Sequence, residues 1–288
     1  QRRVDVERLL GDAPLLVQYV QFVLGLLKGD LGQSIFLNQP VTQALAARAE
    51  PTFFLTLFSI LIAIAIALPV GIISAVKRGT LFDQVVVVLT MVAASVPSFW
   101  LGLMLIQILA VGQGWFPASG YGGPDTDFLE RLHHLILPAI TLGVVNSAMI
   151  TRFTRAAMLD VLGDDHVRTA PCKGIREGRV LCRHALPVAL HPVLGLISVN
   201  VALLITNVVL IETPFNLPGA FRVANVGQFL GEQAHLPPPD IVQALIVEAA
   251  VLIAVTMLIV DLAQAALDPR VAARALGPAW PFSRAATA

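Results

Sequence analysis

Charge is scarce in this chain. Only 13% of its 288 residues are Asp, Glu, Lys or Arg, and the formal net charge is zero. Soluble domains carry about 25% charged residues, so an ordinary soluble globular balance is excluded. A neutral total also argues against a nucleic-acid binder, which needs a basic footprint. Cysteine is nearly absent. Cys172 and Cys182 are the two, their spacing matches no zinc pattern, and they read as free thiols in a reducing compartment. The chain has no G-x-x-x-x-G-K-S/T, so it does not hold ATP through a P-loop. It also lacks the G-x-S-x-G elbow of serine hydrolases and the H-E-x-x-H of zinc proteases. It opens at Gln1 without a charged-then-apolar leader, and a further N-terminal piece is expected ahead of it.

What fills the chain instead is apolar: 56% of residues are hydrophobic, and the charges gather between long apolar runs. That is the pattern of an all-α polytopic membrane protein. Five spans are expected, at Phe53–Val76, Val85–Val111, Leu135–Phe153, Val193–Ile211 and Ile241–Leu267. Pro69 and Gly71 should bend the first. Ser95-Val96-Pro97-Ser98 breaks the second. Residues 1–52 are mixed and fairly polar, with a short apolar stretch at Leu15–Leu27 that suits an interfacial helix. The expected division is therefore an external segment, 1–52, and a membrane domain, 53–288.

Lysine and arginine orient the spans. Loop 77–84 has Lys77 and Arg78, loop 154–192 has Arg155 and five further basic residues, and the tail has three arginines. Loops 112–134 and 212–240 have one arginine each, Arg131 and Arg222. With five spans alternating, the basic regions share the cytoplasmic side, and 1–52, 112–134 and 212–240 are external.

The stretch Asp164–Pro192 is the long basic segment between two apolar spans, and 158–192 is its full loop. It carries Arg168, Lys173, Arg176, Arg179 and Arg183. Asp164 and Asp165 can cap a helix near His166, and Gly174 can end it. A second short helix is expected from Arg176 to Ala185, before Pro187. The side chains of Val167–Gly174 are expected to face a partner and not the core of this chain. The bland alternative is a solvated basic loop.

Polar residues at membrane depth are few. Ser95, Ser98, Asn146, Ser147, Asn200 and Asn207 are candidates for lining a path; interhelical hydrogen bonding serves them equally well. Glu248 and Asp261 are acids inside the fifth run, Asp261 close enough to its end to act as a cytoplasmic anchor. No catalytic residue and no metal site is expected. His133-His134 and His184/His191 lie on opposite sides in this topology.

Taken in order, these motifs resemble one family. The basic segment is similar to the EAA loop of ABC-importer permeases, E-A-A-x3-G-x9-I-x-L-P. Arg168-Thr169-Ala170 stand at E-A-A, Gly174 at the glycine, and His184-Ala185-Leu186-Pro187 at I-x-L-P. Asp165 precedes the match and Lys173 lies within it, just before Gly174. The form R-T-A-x-x-K-G resembles the dipeptide/oligopeptide/nickel branch. Gly29-Asp30-Leu31-Gly32, Ser95-Val96-Pro97-Ser98-Phe99, Arg152 with Arg155, Glu212-Thr213-x-Phe215 and Asp268-Pro269-Arg270 extend the likeness along the chain. Pro171-Cys172 depart from it, and Pro171 should kink the first short helix.

The resemblance implies a type I importer permease bundle, with one further span ahead of residue 1, in a bacterial inner membrane and in contact with its lipid. It implies half of a translocation path, completed by a second homologous permease. Two ATPase subunits would dock on the basic loop, holding ATP and Mg²⁺ themselves, and an external binding protein would deliver substrate. Dipeptide, oligopeptide, glutathione and nickel importers share this frame. The alternatives are an ion-driven secondary transporter half, which calls for inverted repeats that are not seen here, and a non-transporting membrane scaffold.

Overall fold

The computed structural model describes residues 39–122, 126–169 and 176–219, with isolated positions between 20 and 34 and between 246 and 262. The expected fifth span, Glu248, Asp261, the tail, most of 1–38, and Ala170, Pro171, Cys172, Lys173 and Gly174 lie outside the described residues. The chain divides into two compact units: residues 1–50 with 219–248, and 51–218 with 249–288. The expected boundary at 52/53 was drawn from hydropathy alone. The contacts divide the chain at 50/51 and group 219–248 with the N-terminal residues.

In the first unit, β1 (Gln33–Ser34) and β2 (Gln39–Pro40) form a short antiparallel hairpin, with Gln33 opposite Pro40. Helix α1 (Val41–Val76) begins here at residues 41–50 and runs through Pro51 and Pro69. It therefore starts well before the apolar run at Phe53.

The second unit is an all-α bundle. Thr80 caps α2 (Leu81–Ser95), its hydroxyl accepting the Asp83 N–H at 3.5 Å. Val96 and Pro97 are then extended, with ψ of 124° and 133°. The proline ring pushes its predecessor out of the helical region. Helix α3 (Ser98–Leu105) restarts at once and continues as π-helical turns over Ile106–Gly112. The axes before and after this break differ by 99°. The expected single span over Val85–Val111 is thus two helices at a right angle, a broken span or a re-entrant hairpin.

Asp127 caps α4 (Phe128–Gly163), its carboxylate accepting the Phe128 N–H at 2.9 Å. At 1.5 Å per residue, α4 is about 54 Å long, well beyond the roughly 30 Å hydrocarbon core. The expected span Leu135–Phe153 is its middle, and the expected loop 112–134 shortens by the first turns of α4. Next come α5 (Asp165–Arg168), α6 (Glu177–Val180), a π-helical stretch over Leu181–Ala185, and α7 (Leu186–Glu212).

Helix α4 is the middle of the bundle and packs against α2, α3 and α7. Its crossing with α1 is close because two glycines permit it. A Cβ on Gly143 would lie 2.6 Å from Ile62 Cγ2, and one on Gly71 would lie 2.8 Å from the Thr151 carbonyl oxygen. Small residues at such crossings let membrane helices approach and gain dispersion energy. Ala63, Ala67, Ile150, Val193 and Ile197 fill the space where α1, α4 and α7 meet. By length and composition, Arg48–Val76, Phe128–Gly163 and Glu177–Glu212 can each cross a membrane, and the bent pair makes a fourth crossing if it is one span.

Candidate coupling site and path

The basic segment does not hang free of the bundle. Asp164 takes the N-cap position of α5 in an extended conformation, without a side-chain capping bond. The expected carboxylate cap is therefore positional only. Val167 is 4% exposed and Val180 5%, and both belong to one cluster with Ala75 of α1, Met158 and Val161 of α4, and Ala185 and Ala189. The expectation that Val167–Gly174 turns away from this chain is corrected at Val167. Its one apolar side chain in this turn is driven under the ends of α1 and α4 by the gain from burying it. Asp165, Thr169, Glu177 and Arg179 are exposed around that anchor. A cavity of about 440 Å³ opens beside it, lined by Val76, Leu162, Val167, Glu177 and Leu181 among others.

The second short helix also differs from expectation. It does not stop before Pro187. Across Leu181–Ala185 the Leu186 N–H donates to the Leu181 carbonyl, a bond one residue longer than in an α-helix. Pro187, which has no N–H to donate, sits at the start of α7, where the widened π turn receives it. His184 and Leu186 are half-buried and Pro187 is exposed. Cys182 is exposed and free.

At the same end of the bundle stands an ion pair between a buried acid, Asp83, and a base that is 24% exposed, Arg155. Arg155 of α4 donates from Nε to Asp83 Oδ1 at 2.6 Å and from Nη2 to Oδ2 at 2.8 Å. Ser74 Oγ of α1 donates to Asp83 Oδ1 at 2.6 Å, and the Gly79 N–H donates to Oδ2 at 2.9 Å. The Asp83 side chain is 6% exposed. One carboxylate thus ties the end of α1, the 77–80 turn, the start of α2 and α4. Sequence reading missed this group, since Asp83 and Arg155 stand 72 positions apart. The available signal was a lone acid after a basic turn, two residues ahead of the expected span.

The path candidates are spread along α2, α3, α4 and α7. Ser95 and Ser98 flank the bend. Ser95 Oγ donates to the Met91 carbonyl, and Ser98 is buried. Asn146 Nδ2 donates to the Leu142 carbonyl and Ser147 Oγ to that of Val144. Asn200 of α7 donates to the Leu196 carbonyl and approaches Met149 Sδ of α4 at 3.9 Å, while Asn207 donates to Leu203. Ser95, Asn146, Ser147, Asn200 and Asn207 each donate to a carbonyl of their own helix, which gives each a local partner. Asn146 and Asn200 lie within the α4–α7 packing. Asn207 and its neighbour Thr206 lie on the more open face of α7.

At the opposite end, Glu212 is buried and accepts the Thr52 hydroxyl at 2.7 Å. The chain then turns through Asn216, whose φ is 52°. Phe215 and Leu217 are buried behind it, the Phe215 carbonyl accepts the Gly120 N–H at 2.9 Å, and the Phe215 ring lies against Gly102.

A family model described as the binding-protein-dependent transport system inner membrane component matches residues 67–273. The chain belongs to that family. As such an inner membrane component it is 37% identical to the oligopeptide transport system permease AppB of Bacillus subtilis, over 94% of this chain and 84% of that one. It is 34% identical to the dipeptide transport system permease DppB of Escherichia coli K12, over 94% of this chain and 85% of that one. It is 36% identical to the glutathione transport system permease GsiC of Pectobacterium atrosepticum, over 90% and 80%. The fold is shared with a chain of the MetNI methionine ABC transporter solved in inward-facing conformations. The TM-score is 0.61 and the identity 17%, over 78% of this chain and 97% of that one. This permease has the all-α bundle of type I ABC importers. The matched residues include the Asp83–Arg155 pair, the basic segment and all of α2 to α7.

Proposed function

We propose that this permease is half of the translocation path of an ATP-driven peptide importer in a bacterial inner membrane. It is a non-catalytic, multi-pass subunit. Its partners are a second homologous permease, two ATPase subunits that hold ATP and Mg²⁺, and an external binding protein. The observation that carries the reading is the anchored basic segment. A driving subunit can push a membrane bundle only through an element that is exposed on one side and fixed on the other. Here Asp165, Thr169 and Arg179 are exposed while Val167 and Val180 are locked under α1 and α4. Peptides are favoured as substrate because relatives matching nearly the whole chain are named for oligopeptide and dipeptide transport.

The test is co-expression with the neighbouring genes for a second permease, two ATPases and a binding protein. The purified complex in proteoliposomes should import labelled dipeptides with ATP and not with a proton or sodium gradient alone. Preferential import of glutathione or nickel would move the substrate within the same frame. Import driven by an ion gradient without ATPase subunits would overturn the reading.

A further inference from the structure

The Asp83–Arg155 pair is costly for a structural staple. Burying the Asp83 carboxylate and part of the Arg155 guanidinium costs desolvation energy before their attraction is counted, and apolar pairs of similar size often hold a fold equally well. What an apolar pair cannot supply is direction. A guanidinium fork on a carboxylate is fixed in angle as well as in distance, whereas apolar surfaces slide.

The position of the fork suits that property. Arg155 lies on α4 nine residues before Asp164, where α5 and the basic segment begin, so about 14 Å of straight helix separates them. Asp83 lies in the first turn of α2 and is held from two further sides, by Ser74 and by the Gly79 N–H. Helix α2 ends at the other side in the 99° break at Val96-Pro97. Helix α3 follows the break and reaches Phe215 through Gly102. A displacement of the basic segment moves the end of α4. The fork passes it to α2 and so to the bent pair.

We propose that Arg155 and Asp83 are positioning residues for transport: they are the link that carries motion of the basic segment from α4 to α2. The link rests on the importer reading above, and its loss leaves an assembled complex that hydrolyses ATP without a matching import of substrate.

The experiment uses the whole complex in proteoliposomes, with its binding protein and a pool of labelled dipeptides. Import and ATP hydrolysis are measured in the same vesicles. The informative variant is the double replacement Asp83→Leu with Arg155→Met, which removes both charges and keeps the site filled. Single replacements are set aside, because each strands the other charge. The double variant should assemble with its partners at wild-type levels, keep its ATP hydrolysis, and consume several-fold more ATP per dipeptide imported. An unchanged ratio would overturn the link, since packing alone would then transmit the motion. Failure of the double variant to assemble would also overturn it, since the pair would then be needed for the structure itself. If the wild-type complex does not import dipeptides with ATP, the importer reading fails, and it fails independently of the double variant.

Discussion

Thr52 Oγ1 donates a 2.7 Å hydrogen bond to Glu212 Oε1 across 160 positions of sequence, and both side chains are buried. It fastens α1 to the last residue of α7. Removing the hydroxyl takes a donor from a buried carboxylate, which costs about 1–3 kcal/mol. Thr52→Val should lower the midpoint of thermal unfolding in detergent, and Thr52→Ser, which keeps the donor, should stay near wild type. Equal midpoints for Val and wild type would show that the bond contributes nothing.

The α1–α4 crossing gives a sharper contrast. Gly143 faces Ile62 and the Ser59 carbonyl at contact distances, whereas Gly163 on the same helix has open space. Gly143→Ala should destabilise the permease by about 1–3 kcal/mol through overpacking, and Gly143→Leu should reduce its level in the membrane severely. Gly163→Ala should do neither. Quantitative blotting of membrane fractions measures both, and matching effects at the two glycines would contradict the packing described.

The anchor of the basic segment can be tested apart from its exposed face. Val167→Asp and Val180→Asp each put a charge into the cluster with Ala75 and Met158, at a cost large enough to expel the segment. Membrane insertion should persist while co-purification of the ATPase subunits falls at least several-fold. Cys182→Ser, at an exposed position, should leave both unchanged. Retained co-purification in Val167→Asp would mean that the segment docks without being held.

Sidedness follows from the basic loops. With both native cysteines replaced, a cysteine at Asp125 should react with an impermeant thiol reagent in intact cells, and one at Glu177 should react only after the membrane is opened. The reverse labelling would invert the topology and with it the cytoplasmic placement of the basic segment.

Much of the bundle was readable from hydropathy, because only runs of apolar residues are cheap in hydrocarbon. Phe53–Val76 and Val193–Ile211 each lie inside a helix. The ends were not readable. Residues such as Glu130, Arg131 and Arg155 continue the backbone ladder of α4 beyond its apolar run, since a polar side chain does not by itself end a helix. The break at Val96-Pro97 was visible as a proline between serines, but its 99° angle depends on tertiary contacts. The basic segment was found by its charge. Its anchor, Val167 and Val180, was hidden because two valines in a charged loop carry no periodicity. The Asp83–Arg155 fork left only a faint local trace, a lone acid after a basic turn, and the pairing itself is not visible until α2 and α4 are laid side by side.

The π turn at Leu181–Ala185 sets a phase. Because it joins α6 to α7 without a break, residues 177–212 form one helical run of 36 residues, and a π turn amounts to an α-helix carrying one surplus residue. Each residue of an α-helix turns the chain by about 100°. Were this turn to tighten to ordinary α-helix with all its residues kept, the basic end would rotate by about that angle against the buried face of α7. Val180 would then stand at the azimuth that Arg179 holds, and the anchoring valine would face water. The azimuth at which this subunit presents its basic end is therefore stored in a single residue of helical register.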